Sequence, residues 1–457
     1  MFENVLGQPA ASRLGEDISR GVLAPSMLFQ GPAASGKGTA ALELGRILSC
    51  ESTGAPWNCA CAACSRHRLL YHPDLMALGS RPFSAEIAAA AQAFAGDPDS
   101  AARPFFIRSV RKLLLRFSPV LWEDEPKFSK LLSLIDGLET ELDEAITQVP
   151  APEAAQKLCA AILKNAQKLE AEGLGELIPA AQVRRAAYWC NLAPQGKRKL
   201  LLIENADRMR DEGRNSLLKL LEEPPPGAVI VLAATHGDAL LPTILSRLRP
   251  YRFHARPAAV ETEVIRRVFK GSPPDQTDGK AGGPAALEEG SLIGAYLDSF
   301  LPVSQERLYP LAAFFIASLT YQGALILKHR GLGELPAELV ALGKYTSPIA
   351  EAAGLGRPAR DIGSCIQTVM DGAQRFDASA LFKRFFTLAL GILSASLRQG
   401  PFSPQAAALG ELTRRLAGDA VLAALTYNQN PALALERFCA EFKQSLPVLY
   451  GAGGGGA

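Results

Sequence analysis

Nine residues, Gly31-Pro-Ala-Ala-Ser35-Gly36-Lys37-Gly38-Thr39, have the types and spacing to cradle a chain of phosphates. Gly31 and Gly36 let backbone N–H groups turn inward onto phosphate oxygens, with Ser35 in the same turn, and Lys37 supplies a point charge for the outer phosphates. The loop follows the apolar run Met27–Phe29 and precedes a helical pattern, Ala40–Leu48. A helix starting there adds the partial positive charge of its N-terminus. Gly38 stands where a magnesium-binding Ser or Thr is expected, with Thr39 one residue later. The expected cofactor is ATP with magnesium, and ATP binding survives that departure better than magnesium-assisted hydrolysis does.

A second set of chemistry-bearing residues closes the apolar run Leu200–Ile203, which ends in Glu204-Asn205. In P-loop ATPases this place usually holds Asp-Glu: one carboxylate reaches the magnesium ion and the other orients the attacking water. Glu204 can take the first role at the cost of one methylene. The Asn205 amide cannot take a proton from water. The pair predicts a chain that binds ATP and hydrolyses it slowly or not at all.

Third, Cys50, Cys59, Cys61 and Cys64 lie in one short loop with the spacing C-x8-C-x-C-x2-C. Four thiolates complete a tetrahedral zinc site. The single residue between Cys59 and Cys61 is tight, and His67 and His72 are nearby substitutes. Structural zinc is the favoured reading over a loop of metal-free reduced cysteines. Only Cys61 and Cys64 have the spacing of a redox pair, and no thioredoxin-like pattern surrounds them.

These residues need elements to hold them. Met27–Phe29, Leu200–Ile203 and Ala228–Ala234 read as buried strands of a parallel sheet. Arg214–Glu222 is a helix ended by Pro224-Pro225-Pro226. Strand, helix, strand with short connections is an α/β pattern. Between Gly79 and Leu177 the texture is helical, with Phe128, Leu131, Leu138, Leu142 and Ile146 at helical spacing. Arg108, Arg111, Lys112 and Arg116 line one side of an earlier helix and are read as a solvated face. Residues 270–284 read as a Gly/Pro-rich linker, 286–450 as helical and 451–457 as a flexible tail.

At 457 residues the chain has length for about three domains. Lys plus Arg number 48 against 46 acidic residues, so no global basic excess argues for a nucleic-acid binder. The start lacks a positive n-region and an apolar h-region, and the apolar stretches at Leu311–Thr320 and Phe385–Leu397 fall short of the ~20 residues a bilayer needs. The expectation is a cytoplasmic protein with no membrane contact, in which clustered cysteines hold metal rather than disulfides.

Taken together, FENVLGQ (Phe2–Gln8), the phosphate loop, the cysteine loop, HPDL (His72–Leu75), APQGKRKLLLIENAD (Ala193–Asp207), NSLLKLLEEPPPG (Asn215–Gly227), VLAATH (Val231–His236) and LPTILSRL (Leu241–Leu248) resemble the bacterial DNA polymerase III clamp loader, whose subunits are AAA+ proteins. The resemblance covers about residues 1–78 and 178–260. It implies an AAA+ core over 1–78 and 178–250, interrupted by a helical insertion at 79–177. A small helical lid and linker follow at 251–285, then an all-α collar at 286–450 through which such subunits assemble.

Within the family the chain is similar to both the delta-prime and the gamma/tau types. Glu204-Asn205, the lack of a lid arginine after Gly290-Ser291-Leu292, and Asn428-Gln-Asn430 before a C-terminal helix favour delta-prime. The intact Lys37 and the FENVLGQ start keep a gamma/tau-type ATPase motor as the alternative. A P-loop nucleotide kinase is a remote third, since no arginine-rich lid motif is present. The resemblance implies that Arg247, after Ser246, reaches the ATP of a neighbouring subunit, and that Thr235 reads the γ-phosphate. It further implies a hetero-pentamer with the other clamp-loader subunits, the sliding clamp, and primed DNA held through its phosphates. Own ATPase activity is expected to be weak or absent. The run Lys197-Arg198-Lys199 is read as solvated charge rather than a DNA contact.

Overall fold

The three apolar runs lie in β1 (Ser26–Gln30), β3 (Lys199–Glu204) and β4 (Ala228–Ala234) of the computed structural model, which adds β2 (Leu75–Gly79) and the polar β5 (Arg249–Arg252). The structure describes all residues except 99–100, 176, 236, 238–239, 274–290, 301–304, 332–333, 374–378, 400–402, 427–428 and 452–457. His236, Gly290, Asn428, most of the 270–284 linker and the 452–457 tail therefore lie outside the described residues.

The strands pair in the order β2-β3-β4-β1-β5, all parallel. Strands buried on both faces need apolar residues without alternation, and β3 and β4 have them. Their alternate residues serve two cores. Leu28, Leu78, Ile203 and Leu232 face one, and Phe29, Ala77, Leu202 and Val231 face the other. The register puts Gly79 beside Glu204, Glu204 beside Ala233, and Gln30 beside Ala234. The loops that leave these strand ends therefore emerge along one edge, where ligands of open α/β sheets bind.

One face carries α1 (Pro9–Ser19) and α2 (Lys37–Ser49), with α3 (Ala62–Arg68) packed on α2. The other carries α4 (Ser84–Gly96), α5 (Ala102–Leu114), α6 (Pro126–Thr147), α7 (Pro152–Gly173), α8 (Ala180–Asn191) and α9 (Asp211–Glu222). Two 3₁₀ turns, Leu115–Phe117 and Pro119–Trp122, link α5 to α6. The stretch predicted as an insertion does not stand apart. Phe94, Phe106, Leu138 and Ile162 share a core with the sheet residues.

After α10 (Pro242–Leu245), α11 (Ala258–Val264) continues into one π-helical turn, Ile265–Phe269. These pack with α12 (Leu292–Asp298) through Ile265, Phe269, Ile293 and Tyr296. The collar was predicted to start at 286, yet α12 groups with the first unit, Met1–Asp275 plus Ser291–Phe300.

The second unit contains α13 (Gln305–His329), α14 (Ala337–Ala352), α15 (Ile362–Gly372), α16 (Ser379–Gln399), α17 (Pro404–Thr426) and α18 (Pro431–Leu449). Phe315, Phe385, Phe386 and Phe438 meet in its core. The sequence expectation of no helix near membrane length is corrected by α13. Its segment Arg307–His329 is long and apolar enough to span, yet 72% of its most apolar window is buried inside the protein. It packs on α14, α15, α16 and α18 as their common core helix.

Candidate functional site

The phosphate loop leaves β1 with Gly31 donating its N–H to Ala234 of β4, at 3.2 Å. Gly36 caps α2 at φ 93°, a left-handed conformation that glycine adopts without strain. Lys37 folds back on the loop. Its Nζ donates to the carbonyls of Gly31 and Pro32, at 2.5 and 2.6 Å, and lies 3.4 Å from Ser35 Oγ. Burial pushes the Lys37 amine down to about 8, and Glu204 and Asp207 pull only part of that back. Arg256, which the sequence did not single out, donates to the carbonyls of Leu6 and Ala34 and lies against Gly36.

Glu204 ends β3 with its carboxylate at this loop. A side-chain carbon on Gly38 would run into Glu204 Oε1. Arg116, from the 3₁₀ turn after α5, is ion-paired to Glu204 Oε2, and Arg81 Nη1 lies 3.6 Å from Oε1. Arg81 and Lys112 in turn pair with Glu86. Burial alone raises the Glu86 carboxyl, but Lys112 and Arg81 overcome it and hold the group down at about 2. Together Arg81, Lys112, Arg116 and Glu204 line a small cleft with Gly38 and Thr39.

The expectation of a solvated face at Arg108, Arg111, Lys112 and Arg116 is overturned by the structure. Arg116 is 4% exposed, and Arg108 donates inward to the carbonyls of His67 and Arg68, at 3.2 and 2.6 Å. Arg111, which pairs with Glu139 at 2.9 Å, is the member turned toward α6. The spacing 108, 112, 116 marks one helix face. It is flanked by the buried Val110, Leu113 and Leu114, a signal that the face turns inward. Lys199 is corrected likewise: it is 4% exposed, its Nζ 4.4 Å from the Trp189 ring and donating to the Trp189 carbonyl.

Asn205 sits at φ 53°, ψ 47° as the chain turns out of β3. Asn tolerates that left-handed conformation better than most residues, which gives a backbone reason for its presence. Thr235 is half-buried, immediately after β4. Arg247 follows α10 and is half-buried on its own chain. It donates to Glu222 Oε1 and to the Thr243 carbonyl, each at 2.5 Å.

The four cysteine sulfurs lie within 4.8 Å of one another. Cys50 and Cys59 sulfurs are 3.7 Å apart, against about 3.8 Å for two thiolates on a tetrahedral zinc with 2.3 Å bonds. The donor set and spacing fit zinc. A hydrogen bond with Ser52 and others from the loop bring the Cys59 thiol down to about 6, while burial pushes Cys64 up to about 12. Arg46 is buried with Glu43, and donates to Cys64 Sγ at 3.2 Å and to the carbonyls of Ala55 and Pro56. The predicted substitutes are elsewhere engaged. His67 bonds Ser49 Oγ at 2.9 Å, stacks on His72, and is driven down to about 3 by burial. Asp74 of HPDL accepts from the N–H groups of Gln195 and Gly196, tying the loop before β3 to the loop before β2.

A profile of the family described as "DNA polymerase III, delta subunit" matches residues 140–257. That match begins inside α6, within the stretch the sequence placed outside the family. The gamma/tau subunit of DNA polymerase III from Mycobacterium tuberculosis is 28% identical over 101 residues, 22% of this chain and 17% of that one. The delta' subunit of Bacillus subtilis is 38% identical over 74 residues, 16% of this chain and 22% of the other. That of Pseudomonas aeruginosa is 34% identical over 121 residues, 26% and 37%. The matches thus span well under half the length of these relatives. A solved gamma subunit-related protein of Thermotoga maritima aligns with a TM-score of 0.28 at 20% identity, over 60% of this chain and 81% of that one, a level that establishes nothing further. Over these segments the chain is similar to the delta' and gamma/tau subunits of DNA polymerase III, the two kinds its motifs resemble.

Proposed function

We propose that this relative of the DNA polymerase III clamp-loader subunits acts as a delta-prime-type subunit. It assembles with motor subunits through its helical second unit and offers Arg247 to a neighbour's nucleotide. It turns over little or no ATP itself. The complex it joins would place a sliding clamp on primed DNA, gripped through backbone phosphates.

The observation that carries the reading is the state of the acidic strand end. Glu204 is occupied by Arg116 and approached by Arg81, and the next residue is Asn205, an amide in a left-handed turn. A second carboxylate to hold an attacking water is missing from that position. The loop Gly31–Thr39 retains what phosphate binding needs: Lys37, the start of α2 and a turn conformation set by Gly36. A bound nucleotide would supply anionic phosphates, which Lys37 would meet by leaving the Gly31 and Pro32 carbonyls. The expectation of magnesium beside the ATP is corrected: the ion does not fit the residues present, because Gly38 has no hydroxyl and Glu204 is already paired.

Zinc, where bound, supplies a fixed four-way cross-link. Cys50, Cys59, Cys61 and Cys64 would hold it, and Arg46 would orient the Cys64 thiolate while anchoring the loop. Arg247 stands ready for a role outside its own chain. Its present partners are one half-exposed carboxylate, one carbonyl and the Ser246 hydroxyl, all replaceable at modest cost.

A gamma/tau-type motor is the second reading, favoured by the intact Lys37 and by the similarity to the gamma/tau subunit. Steady-state ATP turnover by the purified chain separates the two. No turnover above background supports the delta-prime type. Turnover that vanishes in Lys37→Ala supports the motor.

A further inference from the structure

We propose that the phosphate loop of this chain binds a nucleoside polyphosphate without a divalent cation, the Arg116 guanidinium standing where the ion would bridge Glu204 and the phosphates. The proposal rests on the nucleotide-binding reading above and names what that site takes.

Magnesium demands near-octahedral oxygen ligands at about 2.0–2.1 Å. Here the hydroxyl that would supply one is absent at Gly38, and Glu204 Oε1 fills the space it would need. The other carboxylate oxygen already holds Arg116. A metal ion on Glu204 would sit against two guanidinium groups.

Arg116 has donors to spare. It is 4% exposed, yet its Nε and Nη1 have no hydrogen-bond partner among the described residues. Buried donors are rarely left unmet, so two on one guanidinium beside a phosphate loop indicate an acceptor yet to arrive. The planar fork of arginine matches phosphate oxygens in pairs. The fork is also held in place. Its face lies 5.2 Å from the Phe83 ring centre, and its own carbonyl accepts from Trp122 Nε1 at 2.8 Å.

Charge points the same way. Lys37, Arg81, Lys112 and Arg116 face Glu86, Glu204 and Asp207, which leaves one positive charge over. A lysine, a magnesium ion and the Asp-Glu pair would leave the same surplus in a conventional site. Arg116 precedes the segment matched by the family profile, so this cation belongs to the part of the chain that carries α4 and α5.

The test is calorimetric titration of the full chain, with its zinc retained, by ATP in magnesium-free buffer without chelator and again in excess magnesium. Binding without magnesium at least as tight as with it is expected, because a metal-bound nucleotide must shed its ion to enter. Arg116→Gln should weaken magnesium-free binding by about tenfold or more, while Arg116→Lys, which keeps the charge, should retain part of it. Binding that tightens about tenfold on adding magnesium overturns the proposal and leaves the nucleotide reading intact. Unchanged magnesium-free binding in a folded Arg116→Gln variant overturns it too. No binding by the wild-type chain in either buffer overturns both readings.

Discussion

Gly38 and Glu204 are fitted to each other: the Glu204 Oε1 atom occupies the space that any side chain at position 38 would enter. The two departures from the usual ATPase pattern, a missing hydroxyl and an extra methylene, are therefore one structural feature. Arg116 and Arg81 hold the carboxylate there, so it cannot swing away freely.

It follows that Gly38→Ser does not restore an ATPase. The serine must displace Glu204 from Arg116, at a cost of about 1–3 kcal/mol in unfolding free energy. Shortening the acid in Gly38→Ser/Glu204→Asp should recover most of that loss. Denaturant unfolding of the single and double variants measures the coupling, and simple additivity would sink the idea.

Lys37 sets the pH range for phosphate binding. Its amine ionises at about 8 in the folded chain, lowered by burial. Affinity for ATP should be flat below that value and fall as pH rises through it, by up to about tenfold per unit. Titrations from pH 6.5 to 9.5 read this directly. An affinity that rises above pH 8 would contradict it.

Acid should weaken the cluster through Glu86. Its ordinary value of 4.5 is brought down to about 2 by Lys112 and Arg81, against the opposing effect of burial. A carboxyl depressed on folding stabilises above its unfolded value. That contribution is lost as pH falls from 4.5 toward 2. The loss is on the order of 3 kcal/mol. In Glu86→Gln, thermal unfolding should show less of this acid dependence and lower stability at pH 7.

Metal analysis should return one zinc per chain, held by Cys50, Cys59, Cys61 and Cys64. Cys59→Ser should lower zinc content and raise hydrogen exchange across residues 50–64. Chelation should lower the melting temperature of the wild-type chain and change that of the variant little. A metal-free chain whose stability ignores chelators would leave the loop without this role.

Three of the five strands were legible because their signals are local, whereas β2 and the polar β5 were not singled out. β3 and β4 are unbroken apolar runs, and the loop after β1 carries its glycines and lysine within nine residues. The cysteine cluster was legible from spacing alone, although only the fold showed that His67 and His72 stay out of it. Arg116 was misread because its partner Glu204 lies 88 residues along the chain, and Lys112 because Glu86 lies 26 residues away. A cation next to a carboxylate brought from afar looks like a solvated charge in one dimension. Lys199 was misread for a similar reason, since the aromatic ring that covers it belongs to α8.

Position also misled at domain edges. The stretch 79–177 read as an addition because its helices resemble nothing in the motif set. Yet Phe94, Phe106 and Ile162 complete the core on one face of the sheet. Helical periodicity tells that a face is buried and is silent on what buries it.

The most direct test of the account is ATP turnover in a complex reconstituted from this chain and the motor subunits. Arg247→Ala in this chain should abolish turnover at the neighbouring site it serves, by ~10³-fold or more if it acts as trans arginines do elsewhere. Lys37→Ala in this chain should leave the turnover of the complex in place. The reverse result, turnover lost with Lys37→Ala and unchanged with Arg247→Ala, would contradict the account and make this chain a motor.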